Sequence, residues 1–189
     1  MSPAPHSPGQ SPADPALLAA LSTIRDRGPI GEASLEAAIV HADQYVATLP
    51  THAADLVDLG SGGGLPGLVI AVRRPDLRVT LVERRATRAD LLRRAVSALG
   101  LASHVVVVAD DVSRVATERP RSFDVVTARS FAAPSITARW AGELLRTGGR
   151  LIVSEPPTDD PQRWPTPLLT SSGLVDEGRT DGLRTFRRI

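Results

Sequence analysis

Short apolar runs alternate with amphipathic stretches along most of the chain. The apolar runs predict strands over 54–59, 78–83, 104–109, 123–128 and 149–154. Apolar residues spaced three or four apart predict helices over 65–73, 85–99, 112–118 and 134–146. The four consecutive valines at 105–108 are apolar on both faces, which is typical of a sheet covered on both sides. The alternation therefore predicts an α/β fold with a mostly parallel sheet.

The N-terminal residues follow a different pattern. Five prolines among residues 1–15 predict a disordered tail. Residues 16–50 are predicted to form a helical extension, with one short helix at 16–25 and an amphipathic helix from Glu32 to Leu49. The main domain is expected to occupy residues 51–189.

The C-terminal residues predict the end of the sheet. A proline-rich stretch over 155–167 is expected to form a long loop. Residues 175–179 and 183–189 are predicted to form two strands that flank Thr180-Asp181-Gly182, in which Asp-Gly is a strong hairpin signal. The mostly parallel sheet should therefore finish in an antiparallel hairpin.

Composition narrows the class of protein. The 189 residues include no cysteine and four scattered histidines, so the sequence predicts neither a disulfide framework nor a metal site. No apolar run approaches the ~20 residues of a membrane span, and the N-terminus lacks an apolar signal core. We therefore expect a cytoplasmic monomer that binds neither metal nor membrane.

Charge does not by itself indicate a partner. The net charge is +1, and all 22 basic residues are arginine, so arginine content is weak evidence for RNA binding. One arginine group on the second predicted helix of the main domain is interpreted first as a solvated face, with a phosphate-contacting patch as the alternative. Its members are Arg84, Arg85, Arg88, Arg93 and Arg94.

A glycine-dense turn follows the strand at 54–59. Its sequence is Asp58-Leu59-Gly60-Ser61-Gly62-Gly63-Gly64-Leu65-Pro66-Gly67. Glycines without Cβ atoms let a ligand approach the backbone, and the helix that follows offers free N–H groups. The carboxylate of Asp58 would favour an ammonium group over a phosphate. The turn therefore predicts a site for a nucleotide-like ligand that carries an amino group.

The same turn is compatible with two cofactors. Gly62, Gly64 and Gly67 satisfy the dinucleotide pattern G-x-G-x-x-G, but that frame begins late and leaves Asp58 close to a pyrophosphate. The pattern Asp58-x-Gly60-x-Gly62-x-Gly64 instead resembles the first motif of S-adenosylmethionine (SAM) dependent methyltransferases with the Rossmann-like fold. SAM carries an amino group and no phosphate, so we favour SAM and keep a dinucleotide as the alternative.

Carboxylates also follow the next two strands. Glu83 ends the second strand, where an acid accepts ribose hydroxyls in SAM and NAD sites alike. Asp110, Asp111 and Val112 follow the third strand, at the place where a carboxylate or backbone group meets adenine. Asp is also a favoured helix N-cap, so a purely structural role is equally compatible with the pattern.

The fourth strand ends in Thr127-Ala128-Arg129-Ser130-Phe131-Ala132. In this fold that edge faces the methyl group and its acceptor. Arg129 would hold a phosphate or the cofactor's carboxylate by a bidentate contact, and Phe131 would stack on a base. The alternative is a surface arginine beside a core phenylalanine. No residue is assigned a catalytic role beyond Arg129 at the acceptor edge.

Several stretches together resemble one family, the bacterial guanine-N7 methyltransferases of small-subunit ribosomal RNA, also called glucose-inhibited division protein B. They are Leu65-Pro66-Gly67, Arg74-Pro75-Asp76-Leu77, Arg88-Ala89-Asp90-Leu91-Leu92 and Arg129-Ser130-Phe131-Ala132, and the resemblance covers roughly residues 32–153. It implies SAM contacts at Gly60, Leu65, the Asp111-Val112 backbone and Arg129. It also implies methylation of a guanine N7 in 16S ribosomal RNA, with the small ribosomal subunit as partner.

The chain departs from the family's pattern beside the expected acceptor. Ser154-Glu155 stands where the family tends to have Lys-Gly, which removes a cation and adds an anion. Thr87 replaces a usual lysine, and Gln44 stands where the family's acid follows His41 by three residues. SAM binding is expected to survive these changes better than the ribosomal substrate. The alternatives are a divergent paralogue acting on a small molecule and a non-catalytic nucleotide- or RNA-binding module of the same fold.

Overall fold

The computed structural model describes residues 14–27, 34–158 and 160–189. The predicted disordered tail lies outside the described residues apart from its last two positions, and the predicted helix start at Glu32 also lies outside them. Two N-terminal helices are α1 (Pro15–Arg25) and α2 (Leu35–Thr48). Asp14 caps α1 by accepting a hydrogen bond from the N–H of Ala16 at 2.9 Å, and Pro15 occupies the first helical turn.

The predicted alternation of strands and helices is present in the main part of the chain. The strands are β1 (Asp55–Leu59), β2 (Arg78–Val82), β3 (Val105–Val108), β4 (Phe123–Ala128), β5 (Leu145–Ser154), β6 (Leu174–Thr180) and β7 (Leu183–Arg188). The helices are α3 (Gly67–Arg73), α4 (Ala86–Ala98), α5 (Val112–Glu118), α6 (Pro134–Leu144) and α7 (Thr166–Ser171).

The strands form one seven-stranded sheet in the order β3-β2-β1-β4-β5-β7-β6. Strands β1 to β5 pair in parallel, and β7 pairs antiparallel with both β5 and β6. The predicted fold class is therefore confirmed, including the C-terminal hairpin. Because β1 to β5 run in the same direction, the carboxyl ends of the first four strands meet at one edge of the sheet.

Two element boundaries differ from prediction. Helix α3 begins at Gly67 rather than at residue 65, because residues 62–66 form a turn in which Gly64 has a φ of +87°. Strand β5 begins at Leu145, within the predicted helix 134–146, because Leu145 already pairs with Phe123 of β4.

Helices α1 and α2 share the core of the sheet domain. Leu17, Leu21 and Tyr45 are fully buried in one cluster with Leu56 of β1. The Tyr45 hydroxyl donates to the carbonyl oxygen of Ala128 at 3.1 Å, which fixes α2 beside the carboxyl end of β4. The boundary at residue 50 between extension and main domain stays a prediction. None of the helices in the described ranges is long and apolar enough to cross a membrane.

Candidate functional site

A cleft opens at the carboxyl edge of the sheet, between the starts of α4, α5 and α6. Its volume is about 410 Å³, within the roughly 300–1,000 Å³ typical of small-molecule sites. It is lined by Gly60, Val82, Glu83, Arg84, Arg85, Arg88, Asp110, Asp111, Val112, Ser130, Phe131, Ala132, Ile136 and Trp140. Five of the residues predicted to bind a cofactor therefore lie together at this cleft.

Gly60 brings bare backbone to the cleft. Its φ is +65°, a conformation that L side chains rarely adopt. A Cβ added there would lie only 2.8 Å from Cδ2 of Phe131. The glycine therefore serves two purposes at once, because it permits the turn and leaves room for the aromatic ring beside it.

Gly62, Gly64 and Leu65 of the glycine turn do not line the cleft. The N–H of Gly62 donates to Oε2 of Glu83 at 3.1 Å. A Cβ at Gly64 would collide with the side chain of Leu68, and Leu65 is itself buried. Contacts from Gly62, Gly64 and Leu65 to a cofactor stay predictions, since the structure gives these residues packing roles beneath the cleft.

Glu83 links the glycine turn to the start of α4. Its side chain is buried and lines the cleft. Oε2 accepts from Gly62, and Oε1 accepts from the N–H of Arg85 at 2.8 Å. Because each carboxylate oxygen has a second lone pair, both oxygens can still accept a hydrogen bond from a ligand hydroxyl.

Asp58 lies beneath the turn and does not line the cleft. Its Oδ1 accepts a hydrogen bond from the Thr127 hydroxyl at 2.7 Å, while Oδ2 has no hydrogen-bond partner among the described residues. A Cβ at Gly67 would come within 2.7 Å of Oδ2, so the carboxylate packs under the first turn of α3. Burial raises the pKa of Asp58 to about 6. The predicted contact between Asp58 and a ligand ammonium stays a prediction.

Asp111 after β3 has the capping role that the pattern allows, and contact of Asp110 or Asp111 with adenine stays a prediction. Oδ1 of Asp111 accepts from the N–H of Ser113 at 2.9 Å, which caps α5 and lowers the pKa of this carboxyl. Asp110 accepts from the N–H of Asp111 at 2.7 Å. Together with Val112, both acids line the cleft, so capping and cleft formation are compatible here.

Arg129 follows β4 directly but does not line the cleft. Its Nη1 is buried without a hydrogen-bond partner among the described residues. Its charge adds to the effect of burial in lowering the pKa of His41 on α2. Ser130 has a φ of +53°, and this turn carries the chain from Arg129 to Phe131 at the cleft. An unsatisfied buried N–H of this kind is rare in native structures and indicates a place for an acceptor.

The arginine group at the start of α4 and along it divides in two. Arg93 forms an exposed ion pair with Asp90 at 2.7 Å. In contrast, Arg84, Arg85 and Arg88 line the cleft, and their guanidinium groups form no hydrogen bond or ion pair within the part of the chain that the structure describes. The solvated-face interpretation therefore holds for Arg93, while the first three form a cationic rim.

Two residues of the cleft were missed by the sequence analysis. Ile136 and Trp140 lie four positions apart on α6 and line the cleft. They lie off the face that Ala138, Ala141 and Leu144 bury in the core. Large apolar side chains outside the buried stripe of an amphipathic helix were the signal that could have identified them.

Glu155 does not provide the free anion expected beside the acceptor. Its side chain is only 1% exposed. Oε1 accepts from the indole N–H of Trp164 at 2.9 Å and pairs with Arg163 at 3.3 Å. The expectation that this residue repels a phosphate is therefore corrected, because an arginine eight positions away neutralises the charge.

Comparison with known proteins relates the chain to one family. The family model described as rRNA small subunit methyltransferase G matches residues 35–155. The ribosomal RNA small subunit methyltransferase G of Salinispora tropica is 48% identical over 102 residues, which are 52% of this chain and 42% of that protein. The match thus spans less than half the length of this curated relative.

Solved structures show the same fold at low sequence identity. A putative O-methyltransferase from Klebsiella pneumoniae superposes with a TM-score of 0.63 at 17% identity, covering 94% of this chain and 91% of that one. The [4+2]-cyclase SpnF superposes with a TM-score of 0.64 at 20% identity, covering 86% and 70%. The fold is therefore the Rossmann-like fold of methyltransferases, and the cyclase illustrates that this fold does not by itself decide the chemistry.

Proposed function

The chain belongs to the rRNA small subunit methyltransferase G family, and we propose that it is a SAM-dependent methyltransferase that acts on small-subunit ribosomal RNA. The acceptor is N7 of a guanine in 16S ribosomal RNA, as the family resemblance implies. This substrate would place the chain in the cytoplasm with the ribosomal subunits. A monomer without a metal cofactor agrees with this proposal.

One observation carries the proposal: the cleft joins bare backbone at Gly60 to the buried carboxylate of Glu83. These features suit SAM, because the turn accommodates a nucleoside at close range and both Glu83 oxygens can accept from its ribose hydroxyls. Asp111 and Val112 lie farther along the cleft, where their backbone groups would meet the adenine. The cleft volume of about 410 Å³ is sufficient for one such cofactor.

The cationic rim supports RNA as the substrate. Arg84, Arg85 and Arg88 lie at the cleft without an ion pair among the described residues. Guanidinium groups that form no ion pair within the protein are suited to bind the phosphates of an RNA backbone. Glu83, Asp110 and Asp111 line the same cleft, so the three arginines supply guanidinium groups for phosphate contacts rather than an excess of positive charge. The ion pair of Glu155 with Arg163 also offsets the negative charge that the sequence adds beside the expected acceptor.

The mechanism requires positioning more than proton transfer. A bound SAM would supply a sulfonium methyl group: the N7 lone pair would form the N–C bond in line as the S–C bond breaks, and S-adenosylhomocysteine would leave. Guanine N7 already presents that lone pair, so the residues need not supply a general base. Gly60 and Glu83 would orient the cofactor, and Phe131 would exclude water beside Gly60. Arg129 would hold an anionic group at the acceptor edge through its unpartnered Nη1.

Two measurements on the purified chain test this function. Calorimetry with S-adenosylhomocysteine (SAH) reports cofactor binding. Transfer of radiolabelled methyl groups is then measured on small ribosomal subunits isolated from a strain that lacks this protein, with subunits from the wild-type strain as the matched control. We expect SAH binding, and labelling only of subunits from the deficient strain.

The outcomes separate the competing functions. Binding of SAH without labelling of either subunit preparation would contradict the RNA substrate and favour a small-molecule acceptor. Absence of SAH binding would contradict the cofactor and leave a dinucleotide site or a non-catalytic module. Mapping the labelled nucleotide then tests the guanine N7.

A further inference from the structure

Helix α6 presents two apolar side chains to the cleft. Ile136 is 48% exposed, although it is large and apolar. Trp140 follows it by four positions and is half-buried, so the two side chains lie on one face of the helix. Both line the cleft, and Trp140 also packs against the core cluster beside it. An exposed apolar surface inside a cleft is best explained by a ligand that covers it.

The surroundings of Trp140 define what kind of ligand fits. The guanidinium of Arg139 lies 4.7 Å from the centroid of the indole ring, in a cation–π contact. Trp140 lines the cleft together with Ile136, Val112 and Phe131. Polar atoms of Asp110 and Asp111 border the same cleft. A flat apolar group with hydrogen-bond donors at its edge, such as a purine with an amino group, matches this arrangement.

We infer that Trp140 and Ile136 form a stacking wall for the adenine of the cofactor, an inference that rests on the proposed function. Once Glu83 holds the ribose and Gly60 faces the other end of the cofactor, the base must lie toward Asp111 and Val112. Helices α5 and α6 pack side by side, which puts Ile136 and Trp140 on that part of the cleft. Arg129, the residue proposed for the acceptor edge, does not line this part of the cleft.

The two tryptophans of the chain make this wall measurable. Trp164 is buried and packs against Phe186 at 4.6 Å between ring centroids, away from the cleft. In a W164F variant the emission therefore comes from Trp140 alone. We expect SAH and 5′-methylthioadenosine to change this emission, and free methionine to leave it unchanged. A W140F variant, which retains only Trp164, should show no response to any of the three.

Wild type and W140F alone suffice if W164F does not fold, because the ligand response should be present in the first and absent in the second. A response of Trp140 to methionine but not to methylthioadenosine would overturn the inference, since the wall would then face the amino-acid end. A response to RNA with none to SAH would also overturn it, because the ring would then meet the acceptor.

Calorimetry tests the contribution of Trp140 to SAH affinity independently of fluorescence. Base–aromatic stacking predicts that W140A lowers SAH affinity by about tenfold, and W140F by less. Val106 is the matched control, because it is an apolar residue of the edge strand β3 that is 61% exposed, and V106A should leave affinity unchanged. Unchanged affinity in W140A would overturn the wall while the proposed function stands. Failure of the wild type to bind SAH would instead overturn the proposed cofactor, and the wall with it.

Discussion

The hydroxyl of Thr127 donates a 2.7 Å hydrogen bond to Oδ1 of Asp58 across the β1–β4 pair, where the two residues are direct partners. Both side chains are buried. One bond from a neutral donor does not offset the cost of removing a carboxylate from water. Burial therefore raises the pKa of Asp58 to about 6. A titrating acid thus lies directly beneath the glycine turn.

This acid predicts a pH-dependent stability. Because folding raises the pKa of Asp58 from 3.8 to about 6, the folded chain binds the proton more tightly than the unfolded chain. The stabilisation is therefore complete below about pH 4 and is lost as the pH rises through about 6. Asp58→Asn removes the ionisation, so its free energy of unfolding relative to wild type should rise by ~3 kcal/mol between about pH 4 and about pH 7.

Urea unfolding followed by circular dichroism across this pH range provides the measurement. Asp90→Asn is the control, because Asp90 is exposed and paired only with Arg93, and its difference from wild type should change little. If the free energy of unfolding of Asp58→Asn differed from that of wild type by the same amount at every pH, this carboxyl would not titrate in the measured range.

Gly60 and Gly100 form a matched pair for testing the glycine turn. Their φ values are +65° and +68°, but a Cβ at Gly60 would lie 2.8 Å from Phe131, while one at Gly100 would meet nothing within 4 Å. Replacement of either by alanine should cost ~1 kcal/mol of stability from backbone strain. Only Gly60→Ala should lower SAH affinity, by more than tenfold, and Gly60→Arg should abolish binding. Equal SAH affinities for Gly60→Ala and Gly100→Ala in calorimetry would contradict a cofactor at this turn.

Glu83 is expected to contribute both shape and hydrogen bonds to cofactor binding. Glu83→Ala removes the acceptor for the N–H groups of Gly62 and Arg85 and the acceptor proposed for the ribose. SAH affinity should fall by more than a hundredfold, since several hydrogen bonds to a charged group are removed. Glu83→Gln retains the shape of the side chain, so its SAH affinity should fall by less than that of Glu83→Ala. Calorimetry is the measurement, and Glu118→Ala on the exposed end of α5 should bind as wild type does.

Arg129 is expected to affect transfer more than folding. Its Nη1 has no hydrogen-bond partner among the described residues. Arg129→Ala therefore breaks no hydrogen bond made by this nitrogen. Single-turnover methylation should fall by at least tenfold, because an anion at the acceptor edge would no longer receive a charge-assisted hydrogen bond. Thermal unfolding should shift little. Arg129→Lys tests whether charge alone suffices, and wild-type turnover in the alanine variant would remove Arg129 from the site.

The cationic rim predicts a change in the salt dependence of RNA binding. If Arg84 and Arg85 neutralise phosphates, the double variant to glutamine should lower the slope of log affinity against log salt by about 0.7–0.9 for each phosphate that is no longer neutralised. SAH affinity should change far less. Arg93→Gln on α4 is the control, because Arg93 pairs with Asp90 and does not line the cleft. An unchanged slope in the double variant would place the RNA elsewhere.

Most of the fold could be predicted from the sequence because its signals are local. The sequence analysis correctly identified the glycine turn after β1, the hairpin at Asp181-Gly182 and the strands of the parallel sheet. Each depends on the backbone preferences of a few adjacent residues or on one period of apolar positions. The errors at α3 and β5 arose where a turn or strand pairing overrode local helix propensity.

The sequence by itself determined the order of elements and the presence of Glu83, Asp111 and Gly60 at one edge, because the carboxyl ends of parallel strands must meet. Only the tertiary structure decided which way each side chain faces. Asp58 packs beneath the turn, and Glu155 is neutralised by a residue from its own loop. Trp140 reaches the cleft because α6 packs beside α5. Such directions depend on packing between segments distant in the chain, which no local pattern encodes.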